Sequence, residues 1–434
     1  MLNLNHFIIA LTDAFLSGPF EQAALLKRGQ TCLGVSPPWL NKICQMLVEQ
    51  NIAADRDHVA AFLKNRSNFR PTDLPERIAY YYCPETRMQT VPSFAAASLP
   101  ILHTVADLQD FLKLPNLSRL EWFADHRQTL HHYAHGPLCH YEYRWQGHKP
   151  RLLCMPKTQL KRLQKRIAQT LLASVPVHAA AHGFTRGHST RTFVAAHCAR
   201  HWVLRLDLTA FFPSIGFPRI YGFFRYLGYA KSIARYLTLL CTHRVPKAVL
   251  VPHITDWYTR KRFEQRHLPQ GAPTSPALAN LVTYALDCRL TGLADSIGAN
   301  YTRYADDLLF SGDEHIDLPH LITLIGHIVA DAGFSLNYRK TRVMGHGQRQ
   351  QAVGIVFNQQ PQVSRQVFDR FKAILHNCVV HGVDSQRQRY QASDPMGREL
   401  SAVRLQGQLA YFHMINPEKA QRLTDLYRQI KWPS

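Results

Sequence analysis

With 434 residues, 46% of them hydrophobic and 11% aromatic, the chain can bury roughly two to four cored units and is too apolar to be disordered. Its 51 lysines and arginines against 30 acidic residues give +21 with neutral histidines, an imbalance that on a folded background points to a polyanion partner, most often nucleic acid. No run approaches a membrane span, and Phe7 to Leu11 lacks a basic flank and is followed by Asp13, so no leader, anchor or membrane partner is expected and the chain reads as cytoplasmic.

Residues 1 to about 95 read as a mainly helical region. Phe15 to Leu26, Trp39 to Leu47 and Val59 to Leu63 carry helical apolar spacing, and Ser36-Pro37-Pro38 marks a helix start. Pro71, Pro75, Pro84 and Pro92 then punctuate an irregular connection. Leu108 to Phe123 predicts another helix, leading into His131, His132, His135, Cys139 and His140. That cluster matches no zinc-finger or ribbon spacing, and its interleaved tyrosines favour a polar surface near nucleic acid over a zinc site. The nine cysteines are dispersed with no Cys-x-x-Cys pair, the usage of reduced, buried thiols.

Tyr141 to Trp145 alternates at period two, Gln146 to Pro150 turns, and Arg151 to Pro156 returns, which predicts a hairpin with basic residues at its turn. Lys157 to Leu171 predicts a helix with Leu160, Leu163, Ile167 and Leu171 on one face and Lys157, Lys161 and Lys165 on another. No acidic residue occurs between Glu142 and Asp207. A solvated face normally mixes signs, so this tract favours contact with a phosphate backbone.

Val203 to Leu208 reads as an apolar strand that contains Asp207, where an unpaired carboxylate is costly. Arg205, two positions away on the same face, offers it a salt bridge, and a metal ion offers the alternative. Ile220 to Thr242 predicts a helix and is followed by the basic segment Arg260, Lys261, Arg262 and Arg266. Gly271 and its flanking prolines fix a tight loop from Leu268, with Thr274-Ser275-Pro276 capping the next helix. Tyr301 to Tyr304 and Leu308 to Phe310 predict a hairpin with Ala305-Asp306-Asp307 at its tip. Adjacent acids there are either an ordinary Asp-rich turn or, beside Asp207, part of a site for two divalent ions about 3.5 to 4 Å apart. Phe368 to Val380 and Arg398 to Met414 predict closing helices.

Asp207 with Phe211-Phe212, Leu268 to Pro276, Tyr304-Ala305-Asp306-Asp307 and Leu336 to Thr341, in this order, resemble the palm motifs of reverse transcriptases over roughly residues 140 to 380. Ala181 to Gly187 and Gly354 to Asn358 make the resemblance nearest to the bacterial retron-type enzymes. The resemblance implies an α+β right-hand polymerase: an N-terminal helical region over 1–95, fingers and palm over 96–360 and a helical thumb over 361–434. By it, Asp207, Asp306 and Asp307, with the backbone of Leu208, would hold two Mg²⁺ ions, and Lys340 would protonate the pyrophosphate leaving group. Phe212 would exclude a ribose 2′-OH, Gln270 and Gly271 would pack on the incoming dNTP, and Lys149 and Arg151 would reach its triphosphate. It further implies a structured non-coding RNA template, an RNA–DNA hybrid as bound product, msDNA synthesis in anti-phage defence and a separate effector protein. The alternatives are another defence-associated reverse transcriptase with a different template or priming, and a non-catalytic RNA-binding scaffold.

Overall fold

Four amphipathic helices open the chain: Leu4–Leu16, Gln22–Leu33, Pro38–Glu49 and Arg56–Lys64. The computed structural model describes residues 4–54, 56–65, 77–82, 88, 91, 94, 97–125, 133–146, 151–393 and 398–432. It divides into two compact units, the first comprising Met1–Thr90, Ile101–Leu108 and Gly228–Ile233, and the second the remainder. The four helices enclose a core built on Phe7, Leu11, Phe15, Leu25, Leu40, Leu47 and Val59. The helix expected over Phe15 to Leu26 is broken, because Gly18 and Pro19 end it. Arg28 then donates to the carbonyls of Ala14 at 2.8 Å, Phe15 at 3.0 Å and Pro19 at 2.7 Å, satisfying acceptors that the broken helix leaves open.

The second unit mixes helices with three antiparallel sheets, an α+β arrangement. Strands β1 (Tyr141–Gln146) and β2 (Arg151–Pro156) form the expected hairpin, and its connecting turn, with Lys149, lies outside the described residues. So do His131 and His132 and the prolines 71, 75, 84 and 92. Helix Thr158–Arg166 buries Leu160 and Leu163, with Ile167 and Leu171 buried in the π-helical turn that continues it. The helix expected over Leu108 to Phe123 is two, Val105–Phe111 and Leu117–Ala124, because Pro115 interrupts it and the Asn116 side chain caps the second from Arg119 N–H at 3.0 Å. The one expected over Ile220 to Thr242 is likewise two, Phe217–Tyr226 and Lys231–Cys241, split where Gly228 takes φ 95°.

The central sheet has the order β4-β5-β3-β6, with β3 Trp202–Asp207, β4 Asn300–Tyr304, β5 Asp307–Gly312 and β6 Arg342–Gly345. Period-two alternation separates its faces. Leu204, Leu206, Leu308 and Phe310 on one face are fully buried. Val203 and Leu309 on the other pack with Phe193, Phe357 and Ile415, while its far end carries the acids. Buried His197 ties this face together, bonding Ser311 Oγ on β5 at 2.7 Å and Thr302 Oγ1 on β4 at 2.8 Å, and burial pushes its imidazole down to about 3. A small sheet, β7 (Gln351–Ala352), β8 (Ile355–Val356) and β9 (Gln362–Val363), leads to helices Arg365–His381, Val383–Ser393, Ala402–Ile415 and Pro417–Arg428, packed around Phe371, Leu375, Leu405, Phe412 and Leu423. Among the described residues no helix is long and apolar enough to cross a membrane.

Candidate active site

Chain register brings the acids together. β3 and β5 pair so that Asp207 stands directly opposite Asp307, and β4 pairs with β5 so that Tyr304 also faces Asp307. A two-residue turn, Ala305-Asp306, closes the β4–β5 hairpin, with Ala305 at φ 54°. Leu208 N–H donates to the Asp306 carbonyl at 2.9 Å, so the turn is stitched to the end of β3. On its other side, the Asp207 carbonyl accepts from Asn337 N–H at 2.7 Å, and Thr209 N–H donates to Ser335 at 2.8 Å.

A left-handed alanine between two strands costs on the order of 1 kcal/mol, and the structure behind it explains why it persists. Arg303 lies on the buried face of β4, with Asp287 of helix Tyr284–Ser296 as a two-pronged partner at 2.8 and 2.6 Å, and both side chains are fully excluded from solvent. Its remaining nitrogen donates to the Ala305 carbonyl at 3.2 Å and to Asn280 Oδ1 at 3.0 Å. Asn280 in turn donates to the Gly183 carbonyl at 2.7 Å. A Cβ on Gly183 would sit 2.7 Å from the Ala305 amide nitrogen, so only glycine fits there. Tyr301 completes the network by donating to Asp287 at 2.9 Å.

Two of the three carboxylates meet internal cations. Lys340 Nζ lies 2.8 and 3.0 Å from the two oxygens of Asp207, and Asn337 Nδ2 lies 3.3 Å from one of them. Arg205 engages Asp307, not Asp207 as adjacency on one strand suggested, at 2.7 and 2.8 Å. Pairing across the sheet wins because the β5 residue opposite Asp207 lies diagonally beside Arg205. Burial, then the charges of Asp207 and Asp307, raises the Asp306 carboxyl above its ordinary value. Burial also raises Asp307, against the lowering effect of Arg205. Among the described residues no three His, Cys, Asp or Glu side chains form a ready-made metal cage. Cys139 and His140 are instead bonded to the backbone carbonyls of Tyr141 and Trp122. The donor set at the acids nevertheless suits hard divalent cations, since three carboxylates share one end of the sheet and the charges of the other two help to raise Asp306. Lys340, 53% exposed, is a counter-ion that can swing away.

The remaining predicted residues fall into two groups. Phe212 is half-buried in the short helix Phe211–Ser214, and its ring neighbours Phe184 at 6.4 Å, which in turn lies 6.0 Å from Tyr304. The three rings run from the end of β3 to the acid hairpin. Gln270 and Gly271 lie against β2, where the Gln270 carbonyl accepts from Cys154 N–H at 2.7 Å and Gly271, at φ 113°, leaves 3.1 Å between a hypothetical Cβ and the Cys154 carbonyl. Arg151 is exposed at the start of the same strand. The helix after this loop is Ser275–Val282, with Pro276 in its first turn as expected of Thr274-Ser275-Pro276, but Thr274 has helical backbone angles and makes no side-chain cap, and Ser275 Oγ donates to the Pro269 carbonyl at 2.7 Å. Phe184, Asn280, Asp287 and Asn337 were not given roles by sequence reasoning. Phe184 and Asn337 lie inside motifs that carry the resemblance, whereas nothing in the spacing marks Asn280 or Asp287.

A sequence model of the reverse transcriptase (RNA-dependent DNA polymerase) family matches residues 146–364. Among curated proteins, the chain is 41% identical over 273 residues to the Retron Mx65 reverse transcriptase of Myxococcus xanthus, covering 63% of this chain and 60% of that protein. It is 33% identical over 334 residues to the Retron Mx162 reverse transcriptase of the same organism, covering 72% of this chain and 64% of that protein. To the Retron Ec86 reverse transcriptase of Escherichia coli it is 29% identical over 228 residues, covering 52% and 65%. The chain thus spans under two thirds of the length of each of these relatives.

Two outcomes follow from this geometry. Removing one partner of the Arg303–Asp287 pair strands a buried charge, so Asp287→Ala is expected to destabilise the chain by about 3–5 kcal/mol, read by urea unfolding. Arg303→Lys keeps the charge but loses the fork and should fall between parent and Asp287→Ala. The raised Asp306 carboxyl acts in the opposite sense. Its contribution to stability is complete below its unfolded value and is lost as pH rises through its raised folded value. Asp306→Asn should therefore melt above the parent at neutral pH in a chelator, the gap closing on acidification towards about pH 4 and narrowing when Mg²⁺ is added. Equal melting temperatures across that range would refute the assignment.

Proposed function

The chain belongs to the reverse transcriptase family, and from that premise we propose that it is a retron-type RNA-directed DNA polymerase. The observation that carries the reading is the strand register that sets Asp207 opposite Asp307 with Asp306 in the adjoining turn, inside the segment matched to the family. In this reading the central sheet is the palm, residues 96–360 comprise fingers and palm, 361–434 are the thumb, and the helical region 1–95 is a separate element. Asp207, Asp306, Asp307 and the Leu208 backbone would hold two Mg²⁺ ions, which lower the cost of ionising a primer 3′-OH and stabilise charge on the transferring phosphoryl group and departing pyrophosphate.

The chain's own residues do the rest. The Arg303 network holds the acid turn in place before substrate arrives, so the carboxylates need not reorganise during reaction. Lys340 neutralises Asp207 in the free protein and stands ready to give a proton to the leaving pyrophosphate. Arg205 limits the repulsion between Asp307 and its neighbours. Phe212, backed by Phe184 and Tyr304, forms the wall against which a deoxyribose fits and a 2′-OH does not. Gln270 and Gly271 would pack against the incoming dNTP, and Arg151, with Lys149, would reach its triphosphate.

The relatives are named as retron reverse transcriptases, which supports a structured non-coding RNA as template, an RNA–DNA hybrid as bound product and msDNA as the final one. A place in anti-phage defence, with a separate effector, belongs to the same proposal. The salt bridges from Lys340 and Arg205 favour one other reading, a scaffold in which internal cations occupy the acid face and RNA is bound without chemistry.

Primer extension separates the two. With Mg²⁺, dNTPs and a DNA primer annealed to RNA, the purified chain should extend the primer, and Asp306→Asn with Asp307→Asn should lower the rate by about 10³-fold or more, since several kcal/mol of charge stabilisation are lost. No incorporation by the parent, or equal incorporation by the double variant, defeats the polymerase reading. Nucleic acid that copurifies as a branched RNA–DNA molecule would support retron activity specifically. Phe212→Val should raise ribonucleotide incorporation relative to deoxyribonucleotide by about 10- to 100-fold, measured with single nucleotides on a defined template. An unchanged ratio removes Phe212 from the wall.

A further inference from the structure

Segment 244–266 holds six cations, Arg244, Lys247, Arg260, Lys261, Arg262 and Arg266, against two acids, Asp256 and Glu264. Arg266 is paired with Asp125 at 3.3 Å, and Asp256 caps helix Trp257–Glu264 by accepting from Thr259 N–H at 2.7 Å. The balance left over is strongly positive.

That helix buries none of its side chains. Arg260, Phe263 and Glu264 on one side are half-buried, with Phe263 against His267, so packing accounts for that side and not for Trp257 and Tyr258. Residues four apart are neighbours on a helix surface, which sets Lys261 beside Trp257 and Arg262 beside Tyr258. Trp257 is 56% exposed and Tyr258 75%. The two rings meet edge to face at 5.1 Å, and Lys261 Nζ lies 5.9 Å from the Trp257 ring centre. Beside the helix is a cleft of about 510 Å³ to which Arg244, Lys247 and Lys261 contribute, with Glu264 its one acid. The Nε of Arg244, one of the lining residues, is buried without a hydrogen-bond partner among the described residues. A buried guanidinium N–H with no acceptor is a place for an anionic oxygen.

We propose that this helix and cleft form a binding surface for unpaired RNA, in which bases stack on Trp257 and Tyr258 while phosphates take Lys261, Arg262 and the Arg244–Lys247 cleft. The choice of RNA rests on the polymerase reading. Charge decides against an ordinary protein partner, since the cations around the two rings outnumber Asp256 and Glu264 and suit a polyanion. Ring geometry decides against duplex, which hides its base faces except at the ends, whereas an unpaired strand offers them to aromatic side chains.

The test is fluorescence anisotropy of the full chain with labelled single-stranded RNA of about 20 nucleotides, a little longer than one such site, and with a blunt RNA duplex of equal length. Trp257→Ala with Tyr258→Ala should weaken single-strand binding about tenfold or more and leave the duplex within about twofold. Lys261→Ala with Arg262→Ala, which keeps both rings, should lower the slope of log affinity against log salt by about 1.4, or 0.7 for each phosphate lost. Unchanged single-strand affinity in the aromatic variant, or an equal loss on the duplex, overturns the proposal. Primer extension by the parent is a separate readout and bears on the polymerase reading alone, so the two can fail independently.

Discussion

The acid hairpin depends on a charge that never sees solvent. Arg303 is fully buried, its partner Asp287 is fully buried, and the nitrogen not committed to Asp287 reaches the carbonyl of Ala305. A guanidinium in such a place is disfavoured by burial, yet its bonds to Asp287 hold it above its ordinary value. Because the fork is planar and rigid, one residue fixes three things at once: the helix bearing Asp287, the loop reached through Asn280, and the turn bearing Asp306. The closeness of Gly183 to the Ala305 amide follows from the same demand, since the segment 180–183 runs alongside β4 with Ala181 bridged to Arg303. Segment 180–183 thus converges with Asn280, Asp287 and the acid turn, all from one later stretch of the chain, on a single buried ion pair.

On the opposite face the electrostatic problem is reversed. Three carboxylates are gathered where burial and mutual repulsion raise two of them, and the chain answers with Lys340 on Asp207 and Arg205 on Asp307. Neither cation neutralises the cluster permanently, because both arrive on long, partly exposed side chains. An acid face that is loosely countered from within can accept stronger cations from without. The buried network supplies rigidity and the exposed face supplies charge, divided across a single β-sheet by the alternation of side chains along its strands.

Beyond the sheet, the positive balance is unevenly placed. The acid-free tract between Glu142 and Asp207 presents Lys161, Arg162 and Lys165 on the exposed face of one helix, while segment 244–266 adds cations interleaved with rings. These surfaces differ in chemistry: the first offers charge alone, suited to a backbone, and the second offers charge with flat apolar faces, suited to bases.

Much was legible in the sequence because it is local. Strand and hairpin patterns placed Asp207 near the end of one strand and Asp306-Asp307 at a turn, and the order of short motifs pointed to reverse transcriptases. Helix breaks were less legible: Gly18-Pro19, Pro115 and Gly228 interrupt apolar spacing that by itself reads as continuous, since periodicity reports which face is buried and not where a helix ends. The partners of the acids were not legible at all. Arg205 stands two residues from Asp207 in sequence but pairs with Asp307, and Asp287 carries no motif, because ion pairs are chosen across strands and between a helix and a sheet. Sequence by itself determined which residues are acidic, apolar or obliged to turn, since those are properties of each side chain and its neighbours along the chain. Only the tertiary structure decided that Asp207 faces Asp307, that Lys340 reaches Asp207, and that Arg303 props the turn from behind, because strand register and the burial of charge are fixed by contacts between separate elements, about a hundred residues apart for Asp207 and Asp307.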